Sequence, residues 1–192
     1  MFLCVACGYQ VAQDGGVYSA QTIFVPYVKN DIDGRLTDAL IKAVDLSNQF
    51  VYARNGGWIL EAQIISDQTE NIGYQYDRKP VTGKRIDRLV PNEACRLVKV
   101  RFSLIQRATG QSVYGPIDVV QGADFDFADP DSLRDTSFID IENIRRSSLF
   151  FSLGQFDSMA GAKEDVVTPL YWALAKKIVL GVEHLNWHSF KE

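Results

Sequence analysis

No stretch of the chain approaches the roughly 18 consecutive apolar residues that a membrane-spanning helix requires, so a helical bilayer crossing is not expected. Cysteine is scarce as well. Of the three, Cys4 and Cys7 lie in the first ten residues and Cys95 stands alone near the middle, which excludes a disulfide framework. Cys4 and Cys7 form a C-x-x-C, but no second pair completes a zinc site, and no strand and helix flank it as a redox motif requires. A basic excess is also missing: 20 Lys and Arg face 24 Asp and Glu, a formal charge of −4, which argues against the domain-wide footprint of a nucleic-acid-binding protein. The chain lacks a G-x-S-x-G elbow, a P-loop, a dinucleotide fingerprint, an internal repeat and a low-complexity tract. With no catalytic constellation in view, the expectation is a protein that binds rather than an enzyme, with no cofactor, no metal and no nucleic-acid partner.

What is present fits one water-soluble body. The 192 residues, 46% of them hydrophobic and 23% charged, suffice for a single domain with its own core. The opening Met1-Phe2-Leu3-Cys4-Val5-Ala6-Cys7 is apolar, and Gln10 to Gly16 is polar and glycine-rich. Two readings fit the apolar start: a buried N-terminal strand, or the end of a secretory signal. Ala6 immediately before Cys7, with Leu3 upstream, resembles a bacterial lipobox, in which the cysteine is acylated and becomes the mature N-terminus. Only six residues precede Cys7, none of them Lys or Arg, so part of such a signal is expected to lie further upstream. On this reading residues 1–7 are the signal remnant, 8–21 a flexible tether and 22–187 the folded domain, held at a membrane by the lipid on Cys7.

Along the body, the β-branched and aromatic run Thr22–Val28 predicts a first strand, and Asp31 or Asp33 is placed to cap a helix carrying Leu36, Ala39, Leu40, Ala43 and Val44 on one face. Gln49–Arg54 predicts a second strand, joined through Asn55-Gly56-Gly57 to Trp58–Ser66 as a hairpin. Gln68–Asn92, polar and charged, reads as a long connection. Val98, Val100, Phe102 and Leu104 then alternate with Leu97, Lys99, Arg101 and Ser103, the period of a strand with one buried and one accessible face. Ser112–Gln121 follows as a hairpin arm, Gly122–Asp140 as an acidic loop and Ile141–Phe156 as a short amphipathic helix. A last helix runs from about Asp165–Pro169 to Leu185. Segregated strands and helices imply an α+β two-layer sandwich, a mostly antiparallel or mixed sheet with two or three helices on one face.

Four features are candidates for chemistry. Lys99 and Arg101, with Arg96 and Arg107 at the strand ends, form a cationic stripe suited to phosphate, or simply a solvated sheet face. Lys84, Arg85 and Arg88 make a second basic patch. The carboxylates from Asp124 to Asp131 are spaced as in calcium loops, but without the glycine and closing glutamate of an EF-hand, and a solvated acidic loop is the simpler reading. His184 and His188, four apart, suit a metal on a helix, or a helix end where histidine complements the dipole.

The Cys7-Gly8-Tyr9 start, the strand Thr22-Ile23-Phe24-Val25-Pro26 followed by Asn30, and the helix Leu36-Thr37-Asp38-Ala39-Leu40 together resemble the lipopolysaccharide-assembly lipoprotein LptE family. The resemblance implies an outer-membrane lipoprotein, anchored on the periplasmic side through Cys7, whose domain plugs an LptD-like β-barrel and helps deliver lipopolysaccharide to the surface. It implies that Gly8, in place of aspartate, permits sorting to the outer membrane. It implies lipopolysaccharide contacts through basic residues, for which Lys99 and Arg101 are the candidates. The segment from Asp124 to Lys163, with Leu149, Phe150, Phe151, Leu153 and Phe156, exceeds what that fold needs and is either core or partner surface. A periplasm-facing interaction lipoprotein of another envelope assembly, such as an activator of cell-wall synthesis, would share anchor and sandwich.

Overall fold

The computed structural model describes residues 20–79, 82–129, 132, 137–147, 158–185 and 187. Five strands make one sheet in the order β2-β1-β3-β4-β5: β1 Gln21–Phe24, β2 Phe50–Tyr52, β3 Trp58–Arg78, β4 Arg85–Gln106 and β5 Ser112–Asp126. Helices α1 (Arg35–Asp45), α2 (Met159–Asp165) and α3 (Val167–Glu183) complete an α+β two-layer domain, and β6 (Ser137–Ile139) pairs with β7 (Arg145–Ser147) in a separate hairpin. Cys7 and the residues assigned to signal and tether lie outside the described residues except for Ala20 and Gln21.

The sheet is antiparallel through β3, β4 and β5 and parallel where β1 joins β2 and β3. β1 ends at Phe24, two residues short of Pro26, whose nitrogen has no hydrogen to give a ladder. The chain stays against the sheet, however, since Lys29 N–H donates to Ala62 O and Ile64 N–H donates to Lys29 O. Asn30, in the left-handed region at φ 68°, sends its side-chain amide to Ile64 O at 2.9 Å.

Helix α1 begins at a left-handed Gly34, and the capping falls to Asp31, which is buried. The Asp31 carboxylate accepts from Thr37 N–H at 2.8 Å and from the Thr37 hydroxyl at 2.7 Å, while Thr37 Oγ1 accepts from Val28 N–H at 3.1 Å. One carboxylate thus satisfies helix-start donors and, through Thr37, ties the helix to the preceding strand path. Leu36, Leu40, Ala43 and Val44 turn inward as their spacing predicts. They meet Leu170, Leu174, Ile178 and Val182 of α3 and the inward residues Leu60, Ala62, Val98, Val100, Phe102 and Leu104 of β3 and β4. Beyond α3 the chain folds back, and Trp187 packs edge-on against Phe50 and Trp58 at centroid distances of 5.2 and 5.3 Å.

Four expectations are corrected. First, β2 and β3 are not a hairpin; both run parallel to β1 on its opposite sides, and residues 53–57 cross over β1 between them. The glycine pair serves this crossing and not a two-residue turn: a Cβ on Gly56 would stand 2.8 Å from Thr22 O and 2.9 Å from both Ile23 C and Phe24 N. Second, the polar segment Gln68–Asn92 is not a loop, because β3 and β4 continue through it as strands of 21 and 22 residues. Polar Gln75 and Asp77 take the covered side while Tyr74 and Tyr76 are exposed, so the apolar-in, polar-out alternation that marks a strand is absent there. Third, Gly122–Asp126 belongs to β5, with Phe125 turned inward against Ala94 and Ala162. Fourth, Ile141–Ser147 is a turn and strand β7, not a helix; the remainder of the expected helix, with Leu149 to Phe156, lies outside the described residues.

Candidate functional site

Strict alternation along β4 separates two chemistries. Val98, Val100, Phe102 and Leu104 are buried under α1 and α3, whereas Leu97, Lys99, Arg101 and Ser103 point to the other face. Among the described residues no helix packs on that second face, and Ile65, Leu97 and Val120 are exposed there.

Lys99 and Arg101 lie on the open face and converge on one carboxylate. Asp118 sits directly opposite Arg101 in the β4–β5 register; Arg101 Nε and Nη2 donate to its two oxygens at 2.6 and 3.0 Å, and Lys99 Nζ lies 2.9 Å from Oδ2. These hydrogen bonds, Arg101's first and Lys99's second, hold the Asp118 carboxyl well below the usual carboxylate range. Two cations around one anion leave a single net positive charge on an otherwise acidic chain. A shallow recess of about 130 Å³ adjoins Arg101, lined also by Lys29, Glu61, Gln63, Ser103 and Pro116 among others.

Asp118 is the residue that sequence reasoning missed. Its signal was Asp118 set between apolar Ile117 and Val119, which places it outward, but only the cross-strand register shows which cations it meets.

The other two members of the expected stripe are structural. Arg96 faces inward and is buried; its Nε and Nη2 donate to Asp67 at 2.9 and 2.6 Å, and its Nη1 donates to Lys163 O on α2 at 3.1 Å. Its parity along β4, shared with Val98 and Val100, is the reason. Arg107 fastens the crossing over β1: its side chain donates to Gly56 O at 2.7 Å and Arg54 O at 3.0 Å, with the guanidinium over the Phe24 ring.

The second basic patch lies on the far part of the β3–β4 hairpin. Arg85 stacks on Tyr76, its Cζ 3.2 Å from the ring centroid, and Arg88 pairs with the buried Asp77 at 2.7 Å. Lys84 is exposed.

Of the expected acidic loop, Asp124 and Asp126 project from β5 on either side of the inward Phe125, and Asp131 lies outside the described residues. Asp124 accepts a hydrogen bond from the Cys95 thiol across the strand pair, which with burial pushes that thiol above its ordinary value. His184 is the exposed C-cap of α3, and His188 lies outside the described residues. No three His, Cys, Asp or Glu side chains gather into a metal-binding group among the described residues.

No family model matches the sequence, and no curated protein matches it. Solved structures of similar shape include a minor lipoprotein from Acinetobacter baumannii, 11% identical, with 83% of this chain and 87% of that one covered at a TM-score of 0.44. Rare lipoprotein B from Shewanella oneidensis is 15% identical, with coverage of 85% and 94% and a TM-score of 0.43. A hypothetical protein from Chlamydia trachomatis is 11% identical, with coverage of 86% and 96% and a TM-score of 0.45. With TM-scores below 0.5, these likenesses assign neither family nor activity to the chain.

Proposed function

We propose that this protein is a non-catalytic envelope lipoprotein, acylated on Cys7 and held on the periplasmic side of the outer membrane, that assists lipopolysaccharide assembly. In this reading it supports an LptD-like β-barrel and binds lipopolysaccharide on its open sheet face. The observation that carries the reading is the face itself: one side of β3–β4–β5 is built into the core, while the other presents Lys99 and Arg101 beside exposed Leu97 and Val120. A phosphorylated glycolipid is amphiphilic, and a face that sets two forked or multivalent donors next to apolar side chains matches both halves. Asp118 keeps the cations ordered when empty and competes with an incoming phosphate, so binding is a displacement of one anion by another.

The decisive experiment is titration of the purified chain with lipopolysaccharide, comparing wild type with Lys99→Ala combined with Arg101→Ala. A weakened Kd is expected; an unchanged Kd removes the two residues from the site. Metabolic labelling with a palmitate analogue, present in wild type and lost in Cys7→Ala, tests the anchor, and soluble, unlabelled wild type would sink it. Affinity purification from membranes is expected to recover a β-barrel. Recovery of a cell-wall synthase in its place would turn the reading to an activator of wall synthesis.

A further inference from the structure

We infer that the distal β3–β4 ribbon is a second binding element, a peripheral contact for the surface of an anionic phospholipid bilayer. β1 accompanies β3 only to Ile59, with one further bridge at Gln63, and β5 accompanies β4 only from Glu93 onward. Residues 73–78 and 85–91 therefore pair only with each other, beyond β1 and β5, with Asp77 and Val90 on the buried side and Tyr74, Tyr76 and Leu89 on the open one.

What the ribbon displays is specific. Tyr76 lies directly opposite Leu89, with Tyr74 two residues along the strand, and exposures of 39%, 57% and 57% for the three make an aromatic and aliphatic row. Arg85 sits over the Tyr76 ring, so a cation and an aromatic face are presented as one unit. Between Ile72 and Leu89 the sequence holds Arg78, Lys79, Lys84, Arg85 and Arg88 against Asp77 and Asp87, a local excess of positive charge in a chain of net charge −4. Asp77 is already neutralised by Arg88. Cations interleaved with tyrosines and an exposed leucine are the composition that partitions into a headgroup layer, where rings sit at the interface and charges meet lipid phosphates. A nucleic acid would need a broader basic footprint than this acidic chain has, and it would leave Leu89 without a partner.

This inference does not depend on the lipopolysaccharide reading, and its test keeps the two apart. The full chain carrying Cys7→Ser, which cannot be acylated there, is sedimented with vesicles free of lipopolysaccharide. One vesicle preparation is phosphatidylcholine alone, and the other is phosphatidylcholine mixed with phosphatidylglycerol. Binding is expected only with phosphatidylglycerol and is expected to fall as salt rises. Reversal of two exposed charges, Lys84→Glu with Arg85→Glu, is expected to reduce partitioning at least tenfold, since each cation near an anionic surface contributes about fivefold. Leu89→Ser should weaken binding by a factor that salt does not change. Unaltered circular dichroism in the variants confirms that the fold is intact. Absence of vesicle binding by the Cys7→Ser chain, or equal binding by wild-type and reversed ribbons, overturns the inference. A loss caused equally by Lys99→Ala with Arg101→Ala overturns it too, because the lipid would then sit on the sheet face.

Discussion

Arg96 Nη2 lies 2.6 Å from Asp67 Oδ2 across the β3–β4 pair, and the guanidinium is sealed on its other side by Lys163 O of α2. A residue whose type suggests surface phosphate binding is here an internal clamp between sheet and helix layer. Removing one partner strands the other, so Asp67→Ala is expected to cost about 2–3 kcal/mol, the range for hydrogen bonds to a charged group left without its acceptor. Arg96→Met removes the charge together with its need for a partner and is expected to cost less. Urea denaturation of the two variants checks the order; a cheaper Asp67→Ala would show that solvent reaches the guanidinium.

Gly56 makes a sharper prediction. The chain between β2 and β3 must pass over β1 in five residues, and it does so with Gly56 against the β1 backbone, where an added methyl group meets atoms that cannot rotate away. Gly56→Ala is expected to destabilise by about 1–3 kcal/mol through overpacking, a fall of several degrees in Tm. Gly57→Ala is the control. A Cβ there meets only Thr22 Oγ1, at 3.9 Å, and little change is expected. Equal melting temperatures for the two variants would refute the close crossing.

These two sites also mark where the sequence was not legible. The two-layer class, the inward face of α1 and the alternation of β4 follow from periodicities of 3.6 and 2, since each reflects one buried side. Lys99 and Arg101 were correctly placed outward by the same argument. The β2–β3 connection was misread because Asn-Gly-Gly is a hairpin signal when its flanking strands pair, and nothing local tells that β1, some thirty residues earlier, lies between them. Gln68–Asn92 departs from its reading because the covered side of β3 there carries polar Gln75 and Asp77 and the open side carries Tyr74 and Tyr76, which reverses the usual pattern. Arg96 differs for another reason: its residue type suggests a surface cation, but its parity along β4 puts it on the side of Val98.

Asp118 ties the site to pH. Its folded-state carboxyl ionises below the unfolded value because the charged form is bonded to Arg101 and Lys99, so its contribution to stability is fully present above the unfolded carboxylate value near ~4 and is lost as pH falls through the folded value. Asp118→Asn is therefore expected to melt earlier than wild type at neutral pH, with the gap closing as pH drops below about 4. The same substitution removes the competing anion. At neutral pH Asp118→Asn should bind lipopolysaccharide more tightly than wild type, and a weaker Kd would mean that Asp118 organises the cations more than it occupies them.

Cys95 offers a probe of the open face that needs no ligand. Its thiol donates to Asp124 and is partly buried, and both effects keep the proton on sulfur, so thiolate, the reactive form, is scarce at neutral pH. Gly122 leaves the space that the thiol and Leu97 fill: a Cβ there would lie 2.9 Å from Leu97 Cδ2 and 3.3 Å from Cys95 Sγ. In a chain carrying Cys4→Ser and Cys7→Ser, reaction of Cys95 with a disulfide reagent is expected to be slower than that of free cysteine, with a pH inflection above the ordinary thiol value. Asp124→Ala removes the acceptor and the nearby negative charge. The inflection should then move down and the rate at pH 8 rise, and an inflection that stays in place would leave burial as the whole cause.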